Sequence, residues 1–181
     1  MRTLALNGRM GASGDMLLAA LLAAGADRAT LAPVEDALDV EYNVGETAKN
    51  GIQATTVDVL LTNGDGQSHD TAAHDEGHTH DHSHGDHDRS TGDHADHMHA
   101  EGHGPSRTYA EVVDIVESMG LPEAVEADAL AIFEILGEAE AGVHGTDLAD
   151  THFHEVGADD AIADIAGVCL LRADLGADRV V

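Results

Sequence analysis

TLALNGRMGASGDMLLAALLAAG, Thr3 to Gly25, starts as a short apolar-alternating run, breaks into a glycine-rich turn and resumes as an Ala/Leu helix. That order of strand, turn and helix marks an α/β unit, because the hydrophobic period changes from two to 3.6 across the turn. Thr3 to Leu6 reads as the strand and Asn7 to Gly14 as the turn. Ser13 is placed to cap a helix from Asp15 to Ala24, and Gly25 stops it. Backbone N–H groups in such a turn, ahead of a helix N-terminus, can bind an anion. The Gly-Lys-Ser/Thr ending of a P-loop is absent, however. Asp15 in the first turn opposes an anion and favours a dipole or metal role.

Working outward, Leu31, Val34 and Leu38 recur at helical spacing, and Pro33 is tolerable there if Thr30 caps. Glu41 to Ala48 and Ile52 to Thr62 flank Asn50-Gly51, the dipeptide that best supplies a type I′ turn, so they read as a hairpin. Thr108 to Glu111 is a capping-box pattern opening a helix to Met119, closed by Gly120. Pro122 stands at the first position of the next helix. Its expected apolar stripe is Val125, Ala129, Ile132, Phe133, Leu136, Ala139 and Val143, with Gly145 as the stop. A last helix runs from Asp159 or Asp160 to Leu175, with Ile162, Ile165, Ala166 and Cys169 on its buried face. Asp178 to Val181 begins a strand, which suggests continuation in a longer relative or on a partner. The fold class is α/β, with α+β as the alternative: a small sheet with packed helices.

Between Asn63 and Pro105 the periodicity vanishes. Gly, His, Asp, Ser and Thr dominate, and such a segment buries too little apolar surface to offset its conformational entropy. Residues 63–105 therefore read as a disordered insertion in one domain made of residues 1–62 and 106–181.

Charge excludes several function classes. The formal net charge is −27, and Lys49 is the only lysine. Self-repulsion on that scale calls for screening salt, as in a salt-rich cytoplasm; an acidic tail for partner binding does not fit, because the acids are spread along the chain. No basic patch exists to neutralise phosphates, which disfavours a nucleic-acid binder. No apolar run approaches the roughly 18 residues of a membrane span. Asn7, Gly8 and Arg9 interrupt any signal-peptide core, so a cytoplasmic location is expected. One cysteine, Cys169, permits neither an internal disulfide nor a Cys-based zinc cage.

The histidines form two groups. In the insertion His78, His80, His82 and His84 alternate with Thr, Asp and Ser, and others follow more loosely. Imidazole suits Ni²⁺, Cu²⁺ and Zn²⁺, and a flexible tract of many ligands suits capture and delivery. A low-complexity linker without a metal role is the bland alternative. The second group is THFHEVGADD, Thr151 to Asp160. In an extended segment His152 and His154 share one side, with Phe153 turned to the core. Two imidazoles beside Glu155 and Asp159 can supply part of a coordination shell or a general acid/base; a hydrogen-bonded structural role is the alternative. Asp160 and Asp164, one helical turn apart, face either water or a cleft. His144, at a helix C-terminus, fits a dipole contact.

Taken in order, GASGDM, the Asn-Gly hairpin, the His-rich insertion and VHGTDLADTHFHEVGADDAIADIAG resemble the N-terminal half of the LarC-type nickel insertion proteins. The resemblance covers nearly the whole chain and is anchored by SGDM and HFHEVGA-D; the turn departs from it at Asn7, Arg9 and Met10. It implies a nickel chelatase of the lyase class, a cyclometallase that places Ni²⁺ into pyridinium-3,5-bisthiocarboxylic acid mononucleotide, forming two Ni–S bonds and one Ni–C bond. That product is the cofactor of lactate racemase, whose apoprotein would be a partner. CTP would be consumed at a site in a C-terminal family domain or separate subunit outside this chain. Carried over, Ser13, Gly14 and Asp15 become cofactor-binding positions. His152, His154, Glu155 and Asp159 or Asp160 carry over with them; on our own assignment His152, His154, Glu155 and Asp160 are catalytic and His152, His154 and Asp159 bind metal, while His78, His80, His82 and His84 are the reservoir that their own chemistry suggests. Two rival classes stay open, a metal-buffering chaperone without catalysis and a zinc-dependent hydrolase.

Overall fold

The computed structural model describes residues 1–9, 11–62, 107–153 and 156–181. The insertion at 63–105, and with it the expectation of disorder, lies outside the described residues. The elements are β1 (Thr3–Leu4), α1 (Gly14–Ala23), a 3₁₀ turn (Arg28–Leu31), α2 (Ala32–Leu38), β2 (Val40–Lys49), β3 (Ile52–Leu61), α3 (Tyr109–Ser118), α4 (Glu123–His144), a second 3₁₀ turn (Leu148–Asp150), α5 (Asp159–Asp174) and β4 (Arg179–Val180).

Two small sheets form among the described residues. β1 pairs in parallel with β4, Thr3 opposite Arg179 and Leu4 opposite Val180. The ladder continues through the Leu6 N–H donating to the Val181 carbonyl at 2.8 Å. β2 and β3 form the antiparallel hairpin, in register from Val40↔Leu61 to Lys49↔Ile52. At its tip Asn50 (φ 55°) and Gly51 (φ 79°) take the two left-handed conformations that a type I′ turn demands.

One hydrophobic core joins residues on both sides of the insertion, from Leu18 and Tyr42 to Phe133, Phe153 and Leu171. α5 runs through its middle and packs against α1, α2 and α4. Close approach is possible because Gly167 has no side chain: a Cβ there would stand 2.8 Å from the Tyr42 hydroxyl and 2.9 Å from Leu18. That hydroxyl donates to the Ala163 carbonyl at 2.6 Å, fastening the hairpin to α5.

Four local expectations shift. α2 is not capped by Thr30; the chain enters a 3₁₀ turn first, and Asp27 accepts from the Ala29 N–H at 3.0 Å. Pro122 is the extended residue ahead of α4, its carbonyl accepting from Val125 at 2.8 Å. The buried stripe of α4 is Val125, Ala129, Phe133, Gly137 and Ala141. Ile132 and Val143 lie outside it, exposed by 37% and 79%. Gly137 receives Leu148 and Tyr109 against the bare backbone, so the helix docks through a residue that an apolar pattern does not count. On α5, Ile165 is half-buried while Ala163, Gly167, Leu170 and Leu171 join the buried face.

Candidate functional site

The sequence's two anchors meet. Ser13 holds an extended backbone ahead of α1, and its hydroxyl donates to the Asp15 carboxylate two residues on and accepts from no helix N–H. Across from it, Asp164 of α5 lies so tightly against Gly14 that its carboxylate occupies the space of a glycine Cβ. Asp160, one turn earlier, lies beside it. From β3 come Val57, Asp58 and Val59.

These groups enclose a pocket of about 140 Å³ lined by Ser13, Asp15, Val57, Asp58, Val59, Asp160 and Asp164. The open choice for Asp160 and Asp164, water or cleft, is decided for the cleft; one carboxylate oxygen of each is buried. Four carboxylates around so small a space, in a chain of net charge −27, suit a cation and repel phosphate. Among the described residues no group of three or more His, Cys, Asp or Glu side chains is arranged to hold a metal ion. A cation seated here by these residues alone would keep part of its water shell.

The strap carrying the histidines is built separately. Arg107 and Tyr109 pair with residues 151–153: Tyr109 N–H donates to Thr151 O, and Phe153 N–H to Arg107 O, each at 2.9 Å. Thr108 and His152 make the antiparallel bridge between them. Phe153 is buried, edge-on to Tyr109 with ring centres 6.3 Å apart, while His152 is exposed. His152 does not line the acidic pocket. His154 and Glu155 lie outside the described residues, as do His78, His80, His82 and His84. Near His152 stands Glu111. Hydrogen bonds from the Thr108 N–H and hydroxyl hold its carboxyl below the usual range, with smaller help from His152 and Arg107.

Asp159 is engaged by Arg107, whose guanidinium donates to it at 2.6 Å and to the Gly157 carbonyl at 2.7 Å. His144 lies 3.5 Å from Glu140, one turn back on α4. Sequence reasoning missed Asp58 and Arg107. Asp58 carries a faint signal, an aspartate between two core valines; Arg107 carries none beyond being a rare base in an acidic chain.

The nickel insertion protein family model matches residues 4–181. A putative nickel insertion protein from Methanococcoides burtonii is 37% identical over 93% of this chain and 33% of its own length. Proteins named pyridinium-3,5-bisthiocarboxylic acid mononucleotide nickel insertion protein are similar too. The one from Akkermansia muciniphila is 36% identical over 99% of this chain and 38% of its own length. The Nocardioides one is also 36% identical, over 94% and 34%. This chain therefore spans about a third of the length of the curated relatives it matches. No solved structure matches it. With the match running through both motif anchors and nearly every described element, the chain belongs to the nickel insertion protein family.

Proposed function

We propose that this chain is the nickel-handling part of a cyclometallase that inserts Ni²⁺ into pyridinium-3,5-bisthiocarboxylic acid mononucleotide, the compound named for two relatives. The observation that carries this reading is the pocket where Ser13-Gly14-Asp15 meets Asp58, Asp160 and Asp164. Its charge draws a divalent cation and keeps the substrate's phosphate elsewhere. The remaining two-thirds of the family's length supplies the nucleotide and CTP sites, and apo-lactate racemase receives the product.

In the reaction both thiocarboxylate sulfurs bind nickel, and a ring C–H bond is exchanged for a Ni–C bond. The C–H electron pair becomes the Ni–C bond, and the proton must go to a base on the protein. His152 and His154 serve as transient nickel ligands or as that base, with Glu155 or Asp160 orienting them. Asp15, Asp58 and Asp164 hold the hydrated ion before transfer. The insertion's His78, His80, His82 and His84 gather nickel and are dispensable when nickel is plentiful.

The test is Asp160→Asn/Asp164→Asn, with the rest of the enzyme supplied and nickel saturating. Loss of roughly 10–100-fold in insertion rate is expected. A wild-type rate would remove the pocket from the mechanism.

A further inference from the structure

Arg107 touches the HFHEVGADD segment at three points. Its carbonyl accepts from the Phe153 N–H at 2.9 Å, one guanidinium nitrogen donates to the Gly157 carbonyl at 2.7 Å, and the other to Asp159 at 2.6 Å. The contact is tight and largely dry. Both charged side chains are 15% exposed. A Cβ on Gly157 would stand 2.9 Å from the Phe153 Cβ and 3.3 Å from the Arg107 backbone nitrogen. His154 and Glu155 thus stand in sequence between two residues tied to the same arginine. The third tie falls on the first residue of α5, next to Asp160.

We infer that Arg107 is the positioning residue of this centre, and that Asp159 is its counter-ion and not a ligand to nickel. The planar fork fixes two acceptors at once, which a lysine cannot do. Gly157 is required for the clamp to close. Arg107 thereby ties the Phe153 end of the strap to Gly157 and to the start of α5, so one residue links the strand that carries His152 to the helix that carries the aspartates of the pocket. The functional side of this inference rests on the assignment of nickel chemistry to residues 152–160.

Two measurements on the full chain separate the clamp from that assignment. Amide hydrogen exchange over residues 156–162 should quicken by about tenfold or more in Arg107→Ala, and less in Arg107→Lys and Asp159→Asn. Unchanged exchange overturns the clamp, whatever nickel does. Insertion at saturating nickel, with the rest of the enzyme supplied, should fall by about tenfold in Arg107→Ala and recover in part in Arg107→Lys. Val116→Ala, a core truncation away from the strap, controls for lost stability. Equal loss in Val116→Ala and Arg107→Ala would reduce Arg107 to a structural role. If His152→Ala/His154→Ala retains insertion, the nickel assignment fails while the exchange result still decides the clamp. Should Arg107→Ala not fold, Asp159→Asn, nearly isosteric, carries both readouts.

Discussion

At Gly14 a single methyl group would collide with the carboxylate of Asp164. Gly14→Ala is therefore expected to cost about 1–3 kcal/mol, or to push Asp164 out of the pocket. Thermal denaturation and nickel insertion, measured together, check this; a variant with unchanged stability and rate would show that the close approach is dispensable. Tyr42 is a second sensitive point. Burial first, then the charges of Asp164 and Glu35, push its hydroxyl well above the usual range, so it stays a hydrogen-bond donor to Ala163 at any physiological pH. Tyr42→Phe should cost about 1 kcal/mol, read as a lower denaturation midpoint. Burial, with Asp128 adding, raises the Cys169 thiol to about 11, so alkylation at neutral pH should track unfolding and not proceed in the native state. Fast modification of the folded protein would contradict that. At this scale the sequence is legible where one residue has one task, as at Asn50-Gly51. It is not legible at Arg107 or Asp58, whose partners come from elements far along the chain.

Elements were readable in proportion to their local chemistry. The capping box of α3 could be read from Thr108 and Glu111 alone, since both hydrogen bonds fall within one turn. Thr108→Ala should cost about 1 kcal/mol. Because the Glu111 carboxyl is held below its ordinary value in the fold, its contribution is present above the unfolded-state value and is lost as pH falls through the folded one. An acid titration of α3 amide signals should show that loss in the native chain and not in Glu111→Gln. α4 was harder to read, because which of its apolar residues face inward depends on what docks at Gly137. Phe133→Ala should cost about 3–5 kcal/mol, whereas Ile135→Ala, 67% exposed, should stay within about 0.5 kcal/mol of native. A comparable loss at both positions would place the stripe wrongly.

Across the whole molecule, charge and division of labour matter most. A net charge of −27 implies that the denaturation midpoint climbs with potassium chloride, chiefly through screening; a flat response would mean that the carboxylates are already compensated. The α/β character and the two anchor motifs follow from patterns in the chain, but their meeting in the acidic pocket does not, because it exists only once α1, β3 and α5 are packed. We propose that residues 152–164, and not the longer histidine tract, carry the chemistry. The measurement closest to that claim is the initial rate of nickel insertion at saturating nickel, with the rest of the enzyme supplied. Two variants are compared, deletion of residues 69–103 and His152→Ala/His154→Ala. The deletion should run at the native rate and the double substitution should be inactive; an inactive deletion beside an active double substitution would contradict the claim.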